Sequence, residues 1–228
     1  MGAVVLGRVT VVPRSRLIGW VVLVGLLAAI SYAAHFASDG DIPDDALYRW
    51  STAIGGLVQY AIILVIVLAL ARGLAPATLG LRAPASWRAA AGWLVASIVA
   101  IWVIGAILNI FLKAGEEQGL VPDGWDPDRA AAFAANFVVV ALVAPIVEEL
   151  TYRGLGFAAV RDAFGAVVAV VVTAAAFGLA HGLVVALPVL TIFGLILAWL
   201  RLRTESLYPP IILHALFNGI ALIASVTV

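Results

Sequence analysis

Glu148 and Glu149 stand side by side directly after an apolar run from Ala130 to Val147. Two of the chain's three histidines are also embedded in apolar runs, His181 in AAAFGLAHGLVV and His214 in PPIILHALFNGIAL. An ionisable side chain inside a membrane span costs about 2.5–3.5 kcal/mol on insertion scales, and such groups as a rule mark a functional site. A carboxylate and an imidazole that share one water can take its proton and make a nucleophile. A second imidazole and an amide NH₂ can donate hydrogen bonds to a developing oxyanion. Glu148, His181, His214 and Asn218 therefore form a hydrolytic set that needs no serine or cysteine. The same residue types suit a second chemistry, in which Glu148, His181 and His214 hold one divalent metal such as zinc with a water in the open position. Residue types alone leave both open.

Spacing adds supporting members. Neighbours on an α-helix differ by about 100°, so Glu148 and Glu149 face different places. Glu149 and Arg153 are four apart and can pair on one face, which leaves Glu148 free for chemistry. Phe177 and His181 share the same spacing, as do His214 and Asn218. Each residue also has a blander reading. The two glutamates could be wet groups at a membrane boundary, His181 a structural hydrogen-bonder, and His214 with Asn218 an interhelical clamp. His35 sits beside an acidic loop and reads as interfacial and uninvolved.

The elements that must position these groups are membrane helices. Of 228 residues 64% are apolar and 11% charged, against roughly 45–50% and 25% in soluble domains; the mean hydropathy is +1.15. The absence of cysteine excludes disulfides, Cys-zinc sites and thiol nucleophiles. With about 20 apolar residues per span, the expected helices are 17–36, 52–71, 89–112, 130–153 or beyond, 165–186, 188–200 and 210–228. The expectation is an all-α polytopic bundle of about seven helices, the sixth one short, in a single membrane domain over 1–228. Pro188 reads as a first-turn residue, and Pro209-Pro210 as a stop and restart. The first span reads as retained rather than cleaved.

Ten of the 13 basic residues fall on one side of this topology, among them Arg8, Arg14, Arg16, Arg72, Arg82 and Arg88. The alternate loops are acidic, with Asp39, Asp41, Asp44 and Asp45, then Glu116, Glu117, Asp123, Asp126 and Asp128. The excess of arginine predicts a cytoplasmic N-terminus. Depth counting from a turn near residue 163 brings Glu148 and His181 within about one helical turn of each other. His214 agrees with them only if the fourth and fifth helices project past the bilayer on the cytoplasmic side.

Three motifs stand in order: EELTYR (148–153) fits E-E-x-x-x-R, FGLAH (177–181) fits F-x-x-x-H, and HALFN (214–218) fits H-x-x-x-N. Together with the approach LRTESLYPPII they resemble the CPBP family, also called the Abi or type II CAAX-prenyl endopeptidase-like family. The resemblance covers roughly 135–225. It implies a catalytic helical core over 130–228, with three N-terminal helices and their loops over 1–129. It implies an intramembrane endopeptidase acting on a membrane-associated protein or peptide. Glu148 and His181 would activate water and His214 and Asn218 would hold the oxyanion, with Glu149, Arg153 and Phe177 in support. The family has been described both as metalloproteases and as glutamate-dependent proteases, and the extra amide favours the glutamate form slightly. Eukaryotic members cut prenylated proteins, but a lipidated substrate need not transfer. The expected surroundings are the lipid bilayer of a bacterial cytoplasmic membrane, with no nucleic-acid partner. The competing readings are a non-catalytic adaptor or bacteriocin-immunity protein that keeps the polar cluster for shape, and a transporter with a proton relay. No inverted repeat supports the last.

Overall fold

The computed structural model describes residues 11–37, 43–112, 117, 122 and 124–227; Arg8, Asp39, Asp41, Glu116 and Asp123 lie outside the described residues. Among the described residues the major elements are seven helices: α1 (Arg14–Ala37), α2 (Trp50–Ala71), α3 (Trp87–Leu112), α4 (Pro127–Phe164), α5 (Ala166–Ala180), α6 (Leu187–Thr204) and α7 (Tyr208–Ser225). Six of them are long and apolar enough to cross a membrane, and the exception is α5 with 15 residues. The chain is a multi-pass integral membrane protein. The short helix is thus the fifth and not the expected sixth. The chain turns out of α5 at Gly182, whose φ is +68°. A Cβ there would lie 2.5 Å from the carbonyl carbon of Ser31 on α1, so only glycine allows this close approach.

Helix α4 spans 38 residues, or about 57 Å at 1.5 Å per residue, against a hydrocarbon core of about 30 Å. It is longer than the hydrocarbon core is thick. The helix is not uniform. Turns of π-helix occupy Val139–Val143 and Leu150–Gly156, on either side of the two glutamates. Pro145 explains the first: it has no N–H for the carbonyl of residue 141, and its ring crowds that carbonyl, so the preceding turn widens.

Pro188 lies in the first turn of α6, as its position suggests. The two prolines 209 and 210 do not separate helices. They fill the first turn of α7, where missing N–H groups cost nothing. The break lies at Glu205, which ends α6 in the left-handed conformation with φ 50°. Arg82 forms an ion pair with Glu205, and Leu207 N–H donates to the Gly80 carbonyl at 2.8 Å. These contacts tie the α2–α3 loop to the α6–α7 turn.

Candidate active site

Glu149 and Arg153 form a wholly buried ion pair, 2.9 Å from Oε1 to Nη1, with both side chains 0% exposed. Arg153 Nη2 donates to the Gly194 carbonyl of α6 at 2.9 Å, and its guanidinium lies 4.6 Å over the Phe177 ring. The same Glu149 oxygen accepts from His214 Nδ1 at 3.0 Å. One carboxylate therefore binds a cation on its own helix and an imidazole on α7. The pairing inferred from the i, i+4 spacing is present, and Glu148 does face elsewhere. Its Oε2 lies 3.7 Å from His214 Nε2, and its Oε1 accepts from Tyr60 Oη at 2.6 Å.

His214 is buried, with Phe177 and Phe193 presenting their rings to it at centroid distances of 5.6 and 5.2 Å. His181 lies on the other side of Phe177, 4.6 Å between ring centres, as the C-cap of α5 rather than inside it. Its Nδ1 is 2.7 Å from the Phe177 carbonyl. A carbonyl can only accept, so a neutral His181 carries its proton on Nδ1 and leaves Nε2 as the basic nitrogen. Among the described residues no hydrogen bond or ion pair joins His181 to Glu148. The structure links them through Phe177 and His214. Asn218 donates one Nδ2–H to the Val140 carbonyl at 3.0 Å, which leaves the second for another acceptor.

The π turns help here. Donors from other helices reach three carbonyls of α4: Val140 receives Asn218, Thr151 receives Trp20 Nε1 and Arg153 receives Arg201 Nε. All three lie in π segments, where main-chain bonding is irregular and carbonyls remain open to side chains. Trp20 also lies against Gly156, where a Cβ would come within 2.4 Å of the indole.

The loop after His181 is held from outside the motifs. Glu117 accepts from the N–H groups of Val184 and Ala186, each at 2.7 Å, and Tyr32 donates to the Leu183 carbonyl. Burial pushes the Glu117 carboxyl up, but the N–H groups of Ala186, Val184 and Val185 together outweigh it. With His35 nearby, they hold the group below its ordinary 4.5. His35 is thus beside Glu117, 3.9 Å away, at the acidic end where its position in the sequence puts it.

Both candidate histidines are anchored through Nδ1, an arrangement that metal-ligating imidazoles share. Yet among the described residues no three His, Asp or Glu side chains converge closely enough to hold a metal ion. The set Glu148, His181 and His214 does not fit a metal in this arrangement.

Sequence reasoning missed Tyr60. Its signal was a polar pair, Gln59-Tyr60, in the middle of an apolar span. A tyrosine in a membrane helix reads first as an interfacial anchor, so this pair did not stand out.

The carboxylates of Glu148 and Glu149 meet His214 within a membrane bundle, with His181 behind Phe177, and comparison with known proteins shows what this part of the chain is similar to. Residues 130–220 match the family model described as "Type II CAAX prenyl endopeptidase Rce1-like". Over 201 residues the chain is 24% identical to the "Putative membrane peptidase YdiL" of Bacillus subtilis (strain 168), covering 86% of this chain and 82% of the relative. No solved structure matches the chain.

Proposed function

We propose that this protein is an intramembrane endopeptidase that hydrolyses a peptide bond of a membrane-associated protein or peptide. The observation that carries the reading is the meeting of Glu148 on α4 with His214 on α7, beside the buried Glu149–Arg153 pair. In this reading Glu148, assisted by His181 Nε2, takes a proton from water, and the resulting hydroxide attacks the peptide carbonyl carbon. The carbonyl oxygen becomes an oxyanion and accepts from His214 Nε2–H and the second Asn218 Nδ2–H. For both hydrogen bonds His214 enters the step already carrying Nδ1–H toward Glu149 and Nε2–H toward the oxyanion, and it gives up neither proton. Collapse breaks the C–N bond, and the leaving amine takes the proton held by Glu148. A bacterial cytoplasmic membrane is consistent with the bacterial source of the relative.

The test is to compare new N-termini in the membrane proteomes of cells carrying the wild type, Glu148→Ala, His181→Ala or Asn218→Ala. The first two substitutions abolish cleavage. Asn218→Ala slows it by about 10²–10³-fold, the usual cost of one oxyanion donor. Insertion and protein level stay normal. Full activity in Glu148→Ala would favour a non-catalytic adaptor or immunity role. Stoichiometric metal, lost together with activity on chelation, would decide against glutamate acting alone.

A further inference from the structure

Helix α2 lies outside the family-matched residues 130–220, yet it reaches the proposed catalytic carboxylate. Tyr60 Oη donates to Glu148 Oε1 at 2.6 Å, which leaves Oε2 as the oxygen turned toward His214. The approach is built into α2. Gly56, one turn before Tyr60, faces Val139, whose Cγ1 would be 3.0 Å from a Cβ at 56. Ile63 and Val67 continue the same stripe and are buried. Residues 56, 60, 63 and 67 recur at helical spacing, so one face of α2 packs on the core and presents a single hydroxyl there.

We propose that Tyr60 is a positioning residue for the hydrolysis. It holds Glu148 by one carboxylate oxygen, so that the other faces the attacking water and His214. The inference rests on the reading of Glu148 as the group that activates water. A glutamate has three rotatable bonds between backbone and carboxylate, and proton transfer needs the acceptor within hydrogen-bond reach of the water. A donor that fixes one oxygen removes that freedom without touching the substrate. The N-terminal half of the chain is then part of the site and not only its anchor in the membrane.

Two measurements test this on the full-length protein. The first is cleavage rate in cells, read at the sites that disappear in Glu148→Ala. Tyr60→Phe slows those cleavages at least tenfold, while protein level and the thermal midpoint of the purified protein stay at wild-type values. The second needs no substrate. The chain has five glutamates, so infrared spectra of protein with ¹³C-carboxyl glutamate can be assigned by Glu148→Gln. Tyr60→Phe shifts the Glu148 band. 3-Fluorotyrosine at position 60, a stronger donor of almost the same shape, shifts it the opposite way and keeps activity. If Glu148→Ala loses no cleavage, the proposal falls with the function it rests on. If Glu148→Ala is inactive but Tyr60→Phe cleaves normally, or the Glu148 band ignores both changes at position 60, the positioning role alone is overturned. A Tyr60→Phe protein that fails to fold leaves the fluorotyrosine spectrum to decide.

Discussion

Arg153 has no exposed surface and is held from several directions, by the Glu149 carboxylate, the Gly194 carbonyl and the face of Phe177, although its Nε has no hydrogen-bond partner. Taking such an ion out of water is costly, and the cost is recovered only with its partner in place. Arg153→Met leaves the Glu149 carboxylate buried without its cation. It destabilises the protein by about 3–5 kcal/mol, the usual cost of breaking a buried pair. Unfolding in detergent micelles measures this. The double change Glu149→Met with Arg153→Met removes both charges and recovers most of that loss. It does not restore cleavage, because His214 loses its Nδ1 acceptor. A double variant as unstable as the single one would mean that the pair does more for the fold than neutralise itself. At this scale the sequence was partly informative: the E-E-x-x-x-R spacing identified the pairing of Glu149 with Arg153, whereas depth counting favoured His181 as the neighbour of Glu148 and the contact is made by His214. It could not supply Tyr60, because nothing in the order of residues says which face of α2 meets α4.

Helices α5 and α6 form the densest packing in the bundle, and small residues permit it. A Cβ at Gly194 would lie 3.0 Å from both Cα and carbonyl oxygen of Ala174, and one at Gly178 would lie 2.4 Å from Thr191 Oγ1. Without a hydrophobic driving force between helices in lipid, such close backbone approach supplies much of the association. Gly194→Ala meets backbone rather than a side chain that can turn away. It destabilises by about 1–3 kcal/mol, as overpacking does, and it displaces the carbonyl that holds Arg153. Reduced thermal stability together with slower cleavage is the expected result. An unchanged midpoint would show that α5 and α6 separate without cost. The other lesson at this scale is α4. The apolar run announced a long fourth helix, but not the two π turns that open its carbonyls to Asn218, Trp20 and Arg201.

Across the whole molecule, charge is divided between the two ends of the bundle. At one end Arg16 donates to the Arg72 carbonyl, Arg82 pairs with Glu205 and Asp162 accepts from the N–H of Val12. At the other, Asp45 binds Arg49 and Arg129, and Asp126 binds Arg129. The arginine excess predicts that the first end faces the cytoplasm. The chain contains no cysteine, so single cysteines report sidedness directly. In intact cells Asp44→Cys reacts with an impermeant maleimide and Ser86→Cys does not; inverted vesicles give the opposite pattern. Labelling of Ser86→Cys from outside would invert the topology.

Sequence alone determined that this chain lives in lipid and that it forms about seven helices, and it singled out a few costly polar groups on α4, at the end of α5 and on α7 as candidates for one site. Those conclusions follow from local quantities: hydrophobic length, helical period and the cost of burying charge. Only the tertiary structure decided that α5 stops at Ala180, that His181 caps it with Nδ1 on a carbonyl, and that Tyr60 holds Glu148. These depend on how closely glycines let helices approach. Contacts between residues 88 positions apart are set by packing in three dimensions, which residue spacing along one helix cannot encode.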